Sequence, residues 1–485
     1  MSSFLVTAPI LGLIAMVMSL SHLVPICISL IFGDGALWAF VASMLLNFAS
    51  GYIVWLATRR FRRDIMPRDA ILLVVLAWSG GALFATIPLL LMLPGLSFTD
   101  AYFETMSGLT TTGSTILSNL DQLPHSINIW RGLLQWLGGM GVIVLVVAVL
   151  PMLGVGGRQI FKAETPGPMK DAKLTPRIAE TAKGLWLVYF GLSALCFAAY
   201  KLAGMSWIDA LMHTFTTMST GGYSTHDASF GHFDSPLLEG IAIIFILLAA
   251  INFGSHFMVL RARSMLPYRH DPEVAWFLAV VIGSCIGIAG YLWIMGVYPD
   301  YPTALRHASF NVVSVATSTG YATQDFNLWP IFAPFWMMFL VSFASCSGST
   351  GGGIKMIRAV ILYKQVYREF IRLLHPTASV PTKIDGQPVE NRVVFAVLAF
   401  LFIYIVCIVS LTLVMTATGL NAITAFSAVI ATLNNLGPGL DHVGPSTTFA
   451  VLNDFQKWVL SAAMLIGRLE LFTVLILFMP VFWRK

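Results

Sequence analysis

Four stretches of the chain combine hydroxyl or amide side chains with glycine in nearly the same order. They read TTTGST from residue 110, STGGYST from 219, TSTGYAT from 317 and NNLGPGL from 434. Hydroxyl and main-chain carbonyl oxygens are neutral ligands that can replace the water shell of a bare cation. Glycine lets the backbone turn its carbonyls inward because it has no Cβ to clash. The four stretches contain no basic residue, so the pattern favours a cation over an anion.

The four stretches belong to a repeated unit. Their shared glycines are Gly113, Gly222, Gly320 and Gly437, which are 109, 98 and 117 residues apart. Recurrence at a nearly fixed period indicates a repeated structural element. Each unit has an apolar segment, a half-apolar segment of 12 to 16 residues, the glycine stretch and a second apolar segment. The half-apolar segments are too short to cross a bilayer, so we expect re-entrant pore helices that stop at membrane depth.

The composition places these units in a membrane protein. Of the 485 residues, 57% are hydrophobic and only 11% are charged, and the mean hydropathy is +0.81. Soluble proteins carry about 25% charged residues, so a soluble protein is excluded. The five cysteines lie in apolar runs without the spacings of zinc or disulfide sites, and we expect small core side chains. The first residues lack a basic leader and a cleavage motif, so a removed signal peptide is not expected.

Ten apolar stretches are long enough to cross ~30 Å of hydrocarbon as helices. They fall near residues 8–32, 36–57, 70–94, 130–153, 184–204, 236–260, 272–296, 328–345 (continuing to 372), 392–418 and 453–482. Of the 28 lysines and arginines, 23 lie in alternate connections, at 59–68, 158–183, 261–269 and 355–392 and at the C-terminal end. Cytoplasmic loops collect basic residues, so both termini are predicted to be cytoplasmic. The opposite side carries five acids that would attract cations to an outer mouth, namely Asp121, Asp227, Asp234, Asp325 and Asp441.

The predicted fold is therefore an all-α polytopic membrane protein with four pseudo-symmetric repeats around a central ion pore. The predicted boundaries are 1–66 for two additional N-terminal transmembrane helices, 67–157 for repeat 1, 158–183 for a cytoplasmic linker, 184–268 for repeat 2, 269–375 for repeat 3, 376–391 for a second linker and 392–485 for repeat 4. Repeat 3 includes a glycine-rich intramembrane loop at 346–355. Non-helical backbone is tolerated at membrane depth where it is buried in protein or lines a cavity, so four loops that converge on one axis would satisfy this constraint together.

The glycine stretches resemble the four degenerate filter sequences of the superfamily of Trk, Ktr and HKT potassium transporters. The resemblance covers the whole chain and is strongest to bacterial TrkH/TrkG-type subunits, which add two N-terminal spans. In this superfamily, glycine at all four filter positions goes with potassium selectivity, whereas serine at the first position goes with sodium preference in some plant members. Gly113 holds the first position, so the resemblance implies potassium. The fourth stretch departs most, through Asn434, Asn435 and Pro438.

The resemblance also implies a ligand set and a gate. The ligands of the potassium ion would be carbonyls and hydroxyls of Thr111, Thr112, Thr220, Gly221, Ser318, Thr319, Asn435 and Leu436. The gate would be the loop CSGSTGGGIK at 346–355, made flexible by Gly348, Gly351, Gly352 and Gly353 and ending at Lys355. From its residues alone, the loop could instead be a helix kink or a cytoplasmic turn. A phosphate loop fits less well, because no strand precedes it and its lysine follows the last glycine by two residues.

Arg468 and Glu470 lie well inside the last predicted span. A charge at that depth is costly unless it meets water, a partner or a cavity. Two residues apart on a helix, they point to different faces and so are not each other's partner. Each could pair with a buried group of another repeat, whereas the family resemblance places Arg468 on the axis below the filter, as a barrier to potassium. His213, Asn252 and His256 are expected to be satisfied interior polar groups.

The sequence thus predicts potassium uptake by channel-like permeation and no enzymatic activity. It shows no metal-ligand cluster and no nucleophile with a base at useful spacing, which disfavours an intramembrane hydrolase. The alternative is a proton- or sodium-coupled transporter, but these more often show inverted repeats and intramembrane acids, and Glu470 is the only acid predicted to lie deep. The resemblance further implies a homodimer in the bacterial inner membrane and a TrkA-type cytoplasmic partner that binds NAD or ATP.

Overall fold

The computed structural model describes residues 3–61, 65–148 and 178–484, and these are almost entirely helical. The longer helices are Ser3–Ser19, Leu23–Phe32, Leu37–Thr58, Pro67–Met92, Phe98–Leu109, His125–Ala148, Ile178–Leu202, Trp207–Met218, Pro236–Ala250, Phe253–Ala262, Pro272–Ile294, Tyr301–Ala316, Phe332–Val341, Met356–Leu374, Asn391–Ala417, Ala422–Leu433 and Asp454–Arg468. Short helices lie at Leu266–Arg269, Leu471–Leu475 and Pro480–Trp483. One antiparallel pair of two-residue strands joins Lys383–Ile384 to Gln387–Pro388. The predicted all-α class is confirmed, and most of the predicted linker 158–183 lies outside the described residues.

Helices occur at each of the ten predicted spans, but two of these spans are sharply bent. Within the described residues, six helices are long and apolar enough to cross a membrane alone, namely Ser3–Phe32, Leu37–Thr58, Pro67–Met92, Ala182–Leu202, Pro272–Ile294 and Asn391–Ala417. Two broken pairs add to them: Pro236–Ala250 turns by 94° into Phe253–Ala262, and Asp454–Arg468 turns by 119° into Leu471–Phe478. The expectation of uninterrupted helices at 236–260 and 453–482 is therefore wrong.

Each bend has a local cause. The carbonyl of Ala250 accepts a hydrogen bond from the Cys346 N–H at 3.0 Å, so the glycine-rich loop takes the place of the next helical turn. The Asn252 side chain then caps a new helix. At the second bend, Glu470 has a φ of 59°, in the left-handed region that ends a right-handed helix. Hydropathy alone does not predict either bend, because the stretches at 236–260 and 453–482 remain apolar across the break.

Four short helices match the predicted re-entrant helices in place and length. We number them 1 to 4: Phe98–Leu109, Trp207–Met218, Tyr301–Ala316 and Ala422–Leu433, which have 12, 12, 16 and 12 residues. Each begins with a side-chain oxygen that accepts a backbone N–H three residues later, from Ser97, Ser206, Asp300 and Asn421 in turn. This cap satisfies one of the unpaired N–H groups at a helix start and recurs in all four repeats, although the helix of repeat 3 begins about one turn earlier than the others.

A buried ion pair lies within repeat 1 and contacts repeat 2. Arg131 Nε lies 2.8 Å from Glu104 Oε1, and both side chains are 1% exposed. Glu104 also accepts the Ile116 N–H at 2.9 Å, and the guanidinium of Arg131 lies 4.2 Å from the centroid of the Tyr223 ring. The pair is thus enclosed by groups that complete its hydrogen bonds, which is the condition for burying charge. Glu470 is therefore not the only deep acid, and that expectation is wrong.

We expect Arg131→Leu to lower the free energy of unfolding by about 3–5 kcal/mol, because Glu104 would stay buried without its cation. The measurement is thermal or denaturant unfolding of the purified protein in detergent. Arg372→Leu is the matched control, since Arg372 and Glu369 form a pair whose side chains are 41% and 50% exposed. It should change the unfolding free energy by less than about 1 kcal/mol. Equal effects of the two substitutions would contradict a structural role for the buried pair.

Candidate functional site

The four glycine loops share one backbone conformation. In each loop the shared glycine and the residue two places before it have a positive φ, whereas the residue between them does not. The pairs are Thr111 and Gly113, Thr220 and Gly222, Ser318 and Gly320, and Asn435 and Gly437, with φ between 50° and 105°. Alternating the sign of φ turns successive carbonyls to the same side of the chain. Residues other than glycine rarely adopt positive φ, so its recurrence in four loops indicates a common requirement.

The loops form a closed ring in chain order. A Cβ added to a shared glycine would meet a carbonyl oxygen of the next loop: Gly113 meets Gly221 at 2.1 Å, Gly222 meets Thr319 at 2.0 Å, Gly320 meets Leu436 at 2.1 Å, and Gly437 meets Thr112 at 3.0 Å. The last contact returns to the first loop. The structure therefore brings together the four carbonyl-bearing residues that precede the shared glycines, all of them in the predicted ligand set. Glycine is required at these positions because a side chain would displace a neighbouring carbonyl.

The unusual fourth loop keeps the same anchoring as the other three. At the end of each re-entrant helix, one side chain donates to the carbonyl four residues earlier at 2.7–2.9 Å, from Thr110, Ser219, Thr317 and Asn434 in turn. Asn434 thus reproduces a threonine hydrogen bond with its amide. Asn435 Nδ2 donates to Thr112 Oγ1 at 2.9 Å and so joins the fourth loop to the first. The departures noted in the sequence preserve the contacts of the ring.

Three side chains that the sequence analysis did not single out hold the ring from outside. Gln135 Nε2 donates to the carbonyl of Gly221 at 2.6 Å. The Tyr223 hydroxyl donates to the carbonyl of Glu104 at 2.9 Å, on re-entrant helix 1, and Tyr321 bonds to Thr216 on re-entrant helix 2. Each tyrosine directly follows a shared glycine and reaches the re-entrant helix of the preceding repeat. The Gly-Tyr dipeptide was a visible signal for the tyrosines, whereas nothing local marked Gln135.

The side-chain oxygens at the four positive-φ positions before the glycines fall into two classes. Among the described residues, Thr111 Oγ1 and Asn435 Oδ1 are buried without a hydrogen-bond partner. Thr220 Oγ1 instead lies 3.2 Å from Thr350 Oγ1, and Ser318 Oγ accepts the Gly352 N–H at 2.8 Å. Thr350 and Gly352 belong to the glycine-rich loop at 346–355. That loop therefore donates to one of the four side chains, Ser318, and accepts from a second, Thr220, while the other two oxygens lack a partner within the described part of the chain.

The glycine-rich loop packs directly against the ring. Every residue from 346 to 355 is buried or half-buried, so the interpretation as a cytoplasmic turn is wrong. The segment before it is the helix Phe332–Val341, which also rules out the strand that a phosphate loop needs. A Cβ on Gly352 would lie 2.0 Å from the carbonyl oxygen of Asn434. Glycine is thus required here for close packing, in addition to the flexibility that the sequence suggested.

Arg468 connects the glycine-rich loop to repeat 1. Its Nη1 donates to the carbonyl of Thr350 at 2.8 Å and its Nη2 to the carbonyl of Gly138 at 3.2 Å. Glu470 pairs instead with Arg358 at 2.8 Å, so the two charges do not pair with each other, as their spacing predicted. The guanidinium of Arg468 is thus held by main-chain carbonyls of the glycine-rich loop and of repeat 1.

A second charged group that the sequence analysis passed over holds both ends of the same loop. Glu273 is fully buried, and its Oε1 accepts N–H groups from Ser347 at 2.8 Å and from Ile357 at 3.0 Å. Lys355 donates to the carbonyl of Gly351 within the loop. One carboxylate thus bridges the start of the loop and the helix that follows it, a contact between residues more than 70 positions apart.

The three other polar residues singled out from the sequence are satisfied interior groups, as expected. His213 lies 2.8 Å from the carbonyl oxygen of Asp209 and 3.0 Å from Ser224 Oγ. His256 bonds to the Tyr268 hydroxyl and the Leu248 carbonyl, and Asn252 caps its helix, as described above. None of the three touches the carbonyl ring through these bonds. They support the scaffold around it.

A cavity of about 190 Å³ opens onto the ring from the side on which the re-entrant helices begin, and we call it the outer cavity. Its lining includes all four shared glycines, His226 and Asp227. Of the five acids predicted for this side, Asp227 lines the cavity. Asp441 follows glycine loop 4, and hydrogen bonds from Asn421 and Thr424 lower its pKa, which keeps the carboxylate ionised at neutral pH. The outer cavity thus leads past the Asp227 carboxylate to the four shared glycines of the ring.

Comparisons with known proteins agree with this architecture. The family model TrkH, described as cation transport protein, matches residues 37–485. A Trk system potassium uptake protein TrkH from Halomonas elongata is 46% identical over 480 residues and covers 98% of each chain. The protein of the same name from Escherichia coli K12 is 44% identical over 477 residues, again covering 98% of each. The crystal structure of the potassium transporter TrkH from Vibrio parahaemolyticus superposes with a TM-score of 0.92 at 41% identity and full coverage of both chains. The chain belongs to the TrkH family of cation transport proteins.

Proposed function

We propose that this chain takes up potassium by channel-like permeation through the ring of four glycine loops. The observation that carries the proposal is the closed ring itself, in which the carbonyl oxygens of Thr112, Gly221, Thr319 and Leu436 each abut a shared glycine of another loop. A ring of carbonyls can replace the hydration shell of a cation. The unpartnered oxygens of Thr111 and Asn435 add neutral ligands at the same depth.

Potassium is favoured over other cargo by two independent features. All four shared positions are glycine, and the relatives that match along 98% of their length are named potassium uptake proteins. The re-entrant helices end at the ring, so the partial negative charge of each helix C-terminus points toward a bound cation. This arrangement stabilises a positive ion without a fixed carboxylate ligand.

The proposal is tested by rubidium uptake into liposomes that contain the purified protein. We expect uptake driven by the membrane potential, with currents that reverse at the potassium Nernst potential and do not respond to proton or sodium gradients. A reversal potential that shifts with pH or with the sodium gradient would exclude channel-like permeation and favour the alternative, a proton- or sodium-coupled transporter. Absence of uptake in both the isolated protein and its complex with a regulatory partner would overturn the proposal.

We further propose that the glycine-rich loop is the gate. In the present conformation its Gly352 N–H occupies Ser318 Oγ, and its Thr350 hydroxyl accepts a hydrogen bond from the Thr220 hydroxyl. Moving the loop would free Ser318 Oγ to act as a ligand beside the side-chain oxygens of Thr111, Thr220 and Asn435. Arg468 holds the loop to repeat 1 and places a positive charge beside the path. The closed loop therefore blocks permeation both sterically and electrostatically.

We also propose that this gate is controlled by association of two copies of the chain into a homodimer and by a TrkA-type cytoplasmic partner that binds NAD or ATP. The helix Met356–Leu374 begins directly after the glycine-rich loop, so a force on it acts on the gate. One face packs on the helix Asn391–Ala417 through Ile357 and Ile361. The other leaves large apolar side chains exposed, at Tyr363, Tyr367, Phe370 and Leu374. A second subunit or a cytoplasmic partner bound there would both cover this face and reposition the loop.

Gly113→Ser should weaken the discrimination of potassium against sodium, because its Cβ would lie 2.1 Å from the Gly221 carbonyl oxygen and displace that ligand. The measurement is the potassium-to-sodium ratio of flux or of reversal potentials. Gly95→Ser is a matched control: Gly95 has nearly the same φ, +89° against +85°, but open space around its Cβ position. Gly95→Ser introduces the same backbone strain at a positive φ without the close approach to a carbonyl oxygen, so it should leave selectivity unchanged. Unchanged selectivity in Gly113→Ser would count against the alignment of the loops.

Arg468→Ala should raise the flux severalfold, because it removes both the tether to Thr350 and the positive charge beside the path. Rubidium uptake per mole of reconstituted protein is the measurement. Arg392→Ala, which removes an arginine that is 61% exposed, is the control and should leave uptake unchanged. A fall in flux for Arg468→Ala at normal expression would show that Arg468 serves the fold rather than the gate.

Glu273→Ala should also raise the flux, since it frees both ends of the glycine-rich loop at Ser347 and Ile357. Glu273→Gln keeps a carbonyl oxygen that can accept both N–H groups, so it should retain most of the parent's low basal flux. The same uptake assay compares the two variants. Equal flux in Glu273→Ala, Glu273→Gln and the parent would show that this anchor does not hold the gate closed.

A further inference from the structure

Three potential metal ligands meet at the rim of the outer cavity. They are Asp121, which follows glycine loop 1, and His226 and His232, which follow glycine loop 2. One ligand atom from each lies within 4.8 Å of the other two. His226 Nδ1 contacts Asp121 Oδ1 directly, and the rings of His226 and His232 stack with their centroids 3.5 Å apart. No local pattern of residues marks this cluster, because its carboxylate and imidazoles are more than 100 residues apart.

We propose that Asp121, His226 and His232 form a binding site for a divalent transition metal of the zinc class, and that the bound metal slows cation uptake. Two imidazoles and one carboxylate suit zinc and its neighbours, whereas magnesium and calcium prefer oxygen ligands alone. Three protein ligands leave a fourth position for water, as in open zinc sites. The metal would take the place of the proton between His226 Nδ1 and Asp121 Oδ1.

A further carboxylate already supports the principal ligand. Asp209 Oδ1 lies 3.3 Å from His226 Nε2, the ring nitrogen on the far side from Asp121. Metal-binding histidines commonly direct their second N–H to a carboxylate, which fixes the ring and its tautomer. Asp209 is itself held by hydrogen bonds from Thr225 at 2.6 Å and Ser206 at 2.7 Å. Asp209, on re-entrant helix 2, thus places a carboxylate beside the ring nitrogen of His226 that faces away from Asp121.

Two side chains, those of His232 and Asp121, must move for the site to close. The stacked rings of His226 and His232 are nearly parallel, with an interplanar angle of 4°. A metal lies in the plane of each imidazole that binds it, so the two rings cannot share one metal in this stacked arrangement. His232 ends the short helical turn Ser229–His232 and is partly exposed, which leaves room for its ring to rotate. Asp121, which is exposed, must also draw back from its direct contact with His226 Nδ1, because two ligand atoms on one tetrahedral zinc ion lie about 3.3 Å apart.

The position of the site gives it a consequence for uptake. His226 lines the outer cavity together with the four shared glycines, so a divalent charge at His226 would repel cations that approach the carbonyl ring. The metal would also link the connection after loop 1 to the connection after loop 2. The effect on uptake rests on the proposed pore, whereas metal binding does not depend on it.

Metal binding is tested with zinc alone on the purified full-length protein by isothermal titration calorimetry. We expect one saturable zinc site per chain that excess magnesium and calcium do not occupy. His232→Gln and Asp121→Asn should each weaken zinc binding at least tenfold. His442→Gln is the matched control, because His442 is an exposed histidine beside Asp441 on the same side of the protein, and it should bind zinc as the parent does. Absence of saturable binding, or unchanged affinity in both cluster variants, would overturn the site.

The effect on uptake is tested with the same variants in liposomes, with zinc on both sides of the membrane. Zinc should lower rubidium uptake at least twofold in the parent and in His442→Gln. It should have no effect on His232→Gln, whose uptake without zinc should equal that of the parent. Equal inhibition of all variants, or zinc binding without a change in uptake, would overturn the inhibitory role. Loss of uptake in the metal-free parent would contradict the proposed pore and leave the calorimetric test of the site intact.

Discussion

The structure depends on one constraint, which is that non-helical backbone inside a membrane must have its polar groups satisfied. Four glycine loops meet this constraint jointly, since each places a carbonyl against the shared glycine of another loop and the contacts close into a ring. A single loop of this kind would expose its amides to lipid. The four-fold repeat is thus a physical necessity for such a site, and glycine is needed where the loops approach most closely.

The side chains around the ring satisfy further buried polar groups and hold the loops in place. Capped re-entrant helices lead into the four loops, and Tyr223 and Tyr321 tie loops 2 and 3 to the re-entrant helix of the preceding repeat. The buried pair of Arg131 and Glu104 carries a cost in desolvation, which its hydrogen bonds offset. Gln135 completes the set by holding the Gly221 carbonyl in place. Rigid support of this kind keeps the spacing of oxygens that discrimination between ions requires.

The backbone polar groups of the glycine-rich loop are also satisfied, but by partners that do not repeat around the four-fold ring. Its N–H groups bond to carbonyls at the end of Pro236–Ala250 and to Ser318, while Arg468 and Glu273 anchor it from two sides. Because the carbonyls at the end of Pro236–Ala250 accept hydrogen bonds from the loop rather than from a following helical turn, the span at 236–260 must bend. The same contacts make the loop a competitor for the oxygens of the ring. In the proposed gate these hydrogen bonds would hold the loop in place, and its movement would free Ser318 Oγ for an ion.

The sequence by itself determined the membrane class, the repeats, the re-entrant helices and the positions of the shared glycines. These follow from apolar length, from periodic recurrence and from the absence of a Cβ, which are properties of neighbouring residues. Tertiary structure alone decided the order of the ring, the two bends, and the roles of Gln135 and Glu273. It alone brought Asp121 to His226. These contacts join residues far apart in the chain, and their geometry depends on how the repeats pack, which no local pattern of residues records.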